Sequence, residues 1–148
     1  MKKLLIAAVV MVVLAFQASA ETKEGPCQLK KSDGFDDSNA VKVEVGTGIK
    51  GVCKFYISDF FGAEIINAGI EIKNTTSKPR HCSYNVAFFD KDDQLIGCVS
   101  QGTSSEEGLA AGATSTLGSC LIPLPKRLYE KVVKYKIAFY ESDQEIGK

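Results

Sequence analysis

Five cysteines and one histidine are the residues on which this chain could build a reactive centre. His81 stands next to Cys82, just after Pro79 and Arg80. A metal centre or a Ser-His pair needs several such groups to converge, and one imidazole with cysteines scattered from Cys27 to Cys120 does not supply them. There is no G-x-S-x-G nucleophile motif either. Zinc, copper and serine-hydrolase chemistry are not expected, and no catalytic, metal or cofactor-binding residue is assigned.

Two further patterns imitate sites. Gly46-Thr47-Gly48-Ile49-Lys50-Gly51 spells G-x-G-x-x-G after a strand-like Val41–Val45, the fingerprint of a dinucleotide phosphate cradle. That cradle requires a helix next, whereas Cys53, Phe55 and Ile57 alternate with Lys54, Tyr56 and Ser58 as a strand does. The glycines are read as a hairpin or bulge. Carboxylates gather at Asp33, Asp36 and Asp37, at Asp92-Asp93 and at Glu106-Glu107, but all in turn-rich segments. Adjacent acids in a turn point apart, so neither a glycosidase pair nor a calcium loop is expected. Asn74-Thr75-Thr76 fits the glycosylation pattern, and a turn asparagine is the simpler reading.

The cysteines depend on compartment. Lys2 and Lys3, an apolar run from Leu4 to Phe16 and the box Ala18-Ser19-Ala20 read as a secretory leader over residues 1–20, bacterial in style, which predicts a periplasmic or secreted protein. The run is too short to span a bilayer and no later segment approaches that length, so a membrane-spanning chain is not expected. Without Lys2 and Lys3, 16 basic residues face 18 acidic ones and the net charge is −2, which gives no general attraction to nucleic acid. In an oxidising compartment the cysteines should mostly pair. Cys98 with Cys120, flanking the loop Gln101–Thr116, and Cys27 with Cys53, tying the arm to the body, are the favoured bridges, each contributing about 2–4 kcal/mol. Cys82 is then the free thiol, read as a small buried residue.

What must position these residues is a set of strands. Ile70 and Ile72 alternate with Glu71 and Lys73, and Tyr84, Val86 and Phe88 alternate with Ser83, Asn85 and Ala87. Asp90 to Gln94 supplies a three-residue hairpin loop with Asp93 in the left-handed position, a register that sets Phe88 opposite Ile96 and Val86 opposite Cys98. Thr114–Ile122 and Val133–Tyr140 are further strands, with one helical turn between them at Lys126–Lys131 and a stop at Pro123-Leu124-Pro125. Residues 21–40 read as a polar N-terminal arm, and residues 41–148 as one domain. Phe60 and Phe61, beside Gly62, either plug one end of the domain or form an exposed recognition patch, with the plug favoured.

Several of these pieces together resemble the FxLYD domain, an immunoglobulin-like sandwich of bacterial exported proteins. They are Ile70 to Asn74, Val86-Ala87-Phe88-Phe89-Asp90, Asp92-Asp93-Gln94 and Leu109-Ala110-Ala111-Gly112. The resemblance runs from Gly69 to Tyr140, about half the chain, and departs from the family pattern at Val86, Phe89 and Asp93, where Phe, Tyr and Gly are usual. It implies a fold and brings no reaction or ligand.

The expectation is an all-β, disulfide-stapled, immunoglobulin-like β-sandwich of about seven antiparallel strands. Its expected role is non-enzymatic: a binding or accessory module that recognises a protein or envelope component through loops or a sheet edge. The alternatives are a structural or surface-assembly subunit and, further off, a small secreted enzyme or inhibitor. The partner and the oligomeric state are not legible.

Overall fold

The computed structural model describes residues 19–32, 39–103, 106–123 and 128–144. Most of the leader, the acidic run at Asp33, Asp36 and Asp37, and Pro125 lie outside the described residues. The chain is all-β: β1 (Ser19–Pro26), β2 (Val41–Val45), β3 (Ile49–Phe60), β4 (Ala63–Asn74), β5 (His81–Phe89), β6 (Leu95–Gly102), β7 (Thr114–Pro123) and β8 (Lys134–Ser142). One 3-10 turn, Leu128–Lys131, precedes β8. It covers the end of the expected helical turn.

The strands form two four-stranded antiparallel sheets, ordered β1-β8-β5-β6 and β2-β3-β4-β7. Alternation of apolar and polar side chains along most of the strands gives each sheet one dry face. In β3, Cys53, Phe55 and Ile57 are buried, as are Tyr84, Val86 and Phe88 in β5 and Ile137 and Phe139 in β8. The two dry faces share one core. Phe55 meets Phe88 edge-on with ring centroids 5.5 Å apart and Tyr135 at 5.2 Å, so one ring of the second sheet inserts between two of the first. Tyr84 brings a hydroxyl into this core and donates it to the carbonyl of Ala68 on the facing sheet at 2.9 Å, which satisfies the group without water.

The strand pattern departs from the sequence expectations in two features, the first of which makes eight strands where about seven were expected. Residues 19–26 span the end of the expected leader and the start of the expected polar arm, yet they pair along their length with β8 and form an edge strand. None of their side chains is fully buried, so the strand is held by its backbone ladder to β8 and the apolar signal is missing. The β5–β6 register is the second. The expected loop is present, with the Asp90 N–H donating to the Gln94 carbonyl at 3.0 Å and Asp93 at φ 59°. A bulge between Phe88 and Phe89 then pairs Phe88 with Gly97 and Val86 with Val99, not Ile96 and Cys98. One inserted residue turns every later side chain to the other face, so Cys98 stands opposite Ala87 and is exposed.

Candidate functional site

The glycine-rich segment forms the β2–β3 hairpin loop, and its polar backbone is taken up by the chain's own carboxylates. Glu141 of β8, 2% exposed, accepts from the Gly48 N–H at 3.0 Å, from the Ile49 N–H and from the Thr47 hydroxyl. Ser19, within the segment read as leader, adds its hydroxyl at 3.0 Å. Glu21 of β1 accepts the Gly46 N–H. Burial pushes the Glu141 carboxyl up, but the bonds from Thr47, Ile49, Gly48 and Ser19 outweigh it and hold the group below the ordinary carboxylate value. The Gly46 bond lowers Glu21 as well. Donors that would face a phosphate in a nucleotide site here tie β2–β3 to the opposite sheet.

The other sequence candidates separate. His81 is buried, with its Nε2 against Gly108 and no hydrogen-bond partner for Nδ1. Among the described residues no three His, Cys, Asp or Glu side chains are gathered as a metal would require. Asp90 accepts the N–H groups of Asp92 and Gln94, both at 2.9 Å, while Asp92 pairs with Lys91 at 2.8 Å and Asp93 with Lys134, so these acids build the β5–β6 hairpin. Asn74 is fully buried. Its amide donates to the carbonyls of Lys78 at 2.7 Å and Leu109 at 2.8 Å, and its oxygen accepts from Thr76, so it organises the turn after β4. The signal was an asparagine closing an alternating strand ahead of two threonines.

Cys27, Cys53 and Cys82 are buried thiols and Cys98 is an exposed one, so neither expected bridge, Cys27–Cys53 or Cys98–Cys120, is formed; the β5–β6 bulge has turned Cys98 outward. Burial pushes the first three up to about 12, with Cys82 adding to the effect on Cys53. Cys120 pairs with Ala68 in the β4–β7 register, and its side chain lies outside the described residues.

Phe61 is where the surface departs from ordinary practice. The β3–β4 hairpin, whose strands have 12 residues each, closes on a two-residue loop, Phe61-Gly62, beyond the pair Phe60 and Ala63. Both loop residues have positive φ, 49° and 81°, the primed turn that matches the strand twist. That turn favours Asn-Gly, and a bulky residue in left-handed backbone is costly. Phe61 is nevertheless 97% exposed. Of the expected pair Phe60 and Phe61, the second does not plug the core; the Phe60 side chain lies outside the described residues.

The outer face of β2-β3-β4-β7 holds a groove of about 940 Å³, reached also by Lys23 of β1. Its charges stand in rows across the strands. Lys50 lies opposite Lys73, which lies opposite Thr114; one row on, Glu44 and Glu71 flank Val52; then Lys42 lies opposite Lys54. This groove gave no signal in the sequence, because its residues are distant in the chain.

No family model matches the chain, and no curated protein matches it. Among solved structures, one that matches is titled "Structure of infectious bursal disease virus Gx strain", at 12% identity and a TM-score of 0.39, covering 89% of this chain and 28% of that one. A likeness at that level carries no argument about fold or role.

Proposed function

We propose that the chain is an exported, non-enzymatic binding or accessory module with an immunoglobulin-like sandwich fold, and that it recognises a protein or envelope component through the tip of the β3–β4 hairpin. Phe61 carries the reading. Its side chain is 97% exposed on a backbone conformation that works against folding, which supports a contact outside the chain. Two antiparallel sheets around one core, with the chain crossing between them after β1, β4, β6 and β7, support the fold. The FxLYD-type pattern from Gly69 to Tyr140 supports it too. The leader and the five cysteines support export.

The test is Phe61→Asn, which creates the preferred Asn-Gly turn. The exported protein should keep or gain stability by about 0.5–1 kcal/mol while losing retention of its partner from a solubilised envelope fraction. Retention unchanged in a folded Phe61→Asn protein would remove the tip as the recognition element.

A further inference from the structure

A second site follows from the charge rows on the outer face of β2-β3-β4-β7. We propose that Lys50 and Lys73 bind an oxyanion, a phosphate, sulfate or carboxylate group carried by a longer polar ligand lying in the groove.

Lys50 and Lys73 are directly opposed in the β3–β4 ladder, so their side chains leave the same face with Cβ atoms about 5 Å apart. Like charges in that arrangement repel and weaken the sheet. The neighbouring lysines have acids: Lys54, beside the groove, pairs with Glu71 at 2.7 Å, and Lys23, which lines it, with Glu21 at 3.1 Å. Among the described residues Lys50 and Lys73 make no ion pair. An anion set between the two ammonium groups turns the repulsion into two charge-assisted hydrogen bonds, and Thr114, next in the row and lining the same groove, brings a further hydroxyl.

The neighbouring row sets the limits of the site. Glu71 is occupied by Lys54, and Glu44 lies diagonal to Lys50, so a second negative group on the ligand is repelled one row along. The occupant is therefore one oxyanion on an otherwise uncharged body. A groove of about 940 Å³ exceeds the space a bare phosphate needs, which leaves room for that body. Phe61 sits at the far end of β3 and β4 from Lys50, so this inference stands apart from the proposed recognition tip.

The experiment uses the full exported chain and inorganic phosphate, sulfate and acetate as probes, at constant ionic strength. At least one anion should raise Tm by about 3 °C at 20 mM. Lys50→Gln/Lys73→Gln should have a higher Tm without anion, because the repulsion is gone, and no anion-dependent rise. Lys91→Gln, in the distant β5–β6 hairpin, should respond as the unmodified chain does. Sedimentation with phosphatidylglycerol vesicles but not phosphatidylcholine ones would place the oxyanion on a lipid headgroup; binding of the free anion with no vesicle sedimentation would place it on a soluble ligand. No rise with any of the three anions, or a rise that survives in Lys50→Gln/Lys73→Gln, overturns the proposal.

Discussion

The carboxylate of Glu141 accepts the backbone N–H of Ile49, 92 residues earlier in the chain and on the opposite sheet. Buried carboxylates are expensive unless their oxygens are hydrogen-bonded, and this one accepts from Thr47, Gly48 and Ile49. The bond fixes how the β2–β3 hairpin sits on β8.

Stability should therefore fall in acid through Glu141. Its folded value lies below the ordinary carboxylate value, so the unfolded chain takes up the proton more readily. The contribution is fully present above the ordinary value of 4.5 and is lost as pH falls through the lowered folded value. Glu141→Gln places an amide donor among N–H donors and should cost about 2–3 kcal/mol at neutral pH. Urea melts from pH 7 to pH 3 should show the variant with a shallower acid limb; equal slopes would remove Glu141 as the group responsible.

Gly46 and Gly62 both have positive φ, yet their replacement should differ. A Cβ on Gly46 would stand 1.9 Å from the Ile49 carbonyl oxygen, whereas one on Gly62 meets nothing within 4 Å. Gly62→Ala should cost only the backbone term, about 1 kcal/mol. Gly46→Ala should cost more than about 4 kcal/mol or prevent folding, because the hairpin must reopen. Thermal melts of the two variants decide it, and similar losses would mean that the loop relaxes easily.

The four described cysteines should react in two classes in the reduced protein. Cys98 is exposed, while Cys27, Cys53 and Cys82 are buried and held near 12 as thiols. At pH 8, alkylation of the folded chain should label Cys98 within minutes and the other three only on unfolding. Mass mapping of the labelled peptides reads this directly, and rapid labelling at Cys53 would show that the two sheets part readily.

The strands were legible because their period is local. Tyr84, Val86 and Phe88 announce β5, and Val133 to Tyr140 announces most of β8, since a half-buried strand repeats every two residues. Asp93 announced its own left-handed turn for the same reason. β1 stayed hidden because none of its side chains is buried and it carries no apolar stripe, and the β5–β6 register slipped because a single bulged residue leaves the composition unchanged.

By itself the sequence determined the all-β class, most strand positions, the leader-like segment and the weakness of the catalytic motifs. Only the tertiary structure decided that Glu141 would fill the glycine loop, that Phe61 would point to solvent, that Cys98 would face outward, and that Lys50 and Lys73 would stand side by side. Each of these depends on which strands become neighbours and in what register, and that is settled by packing both dry faces into one core.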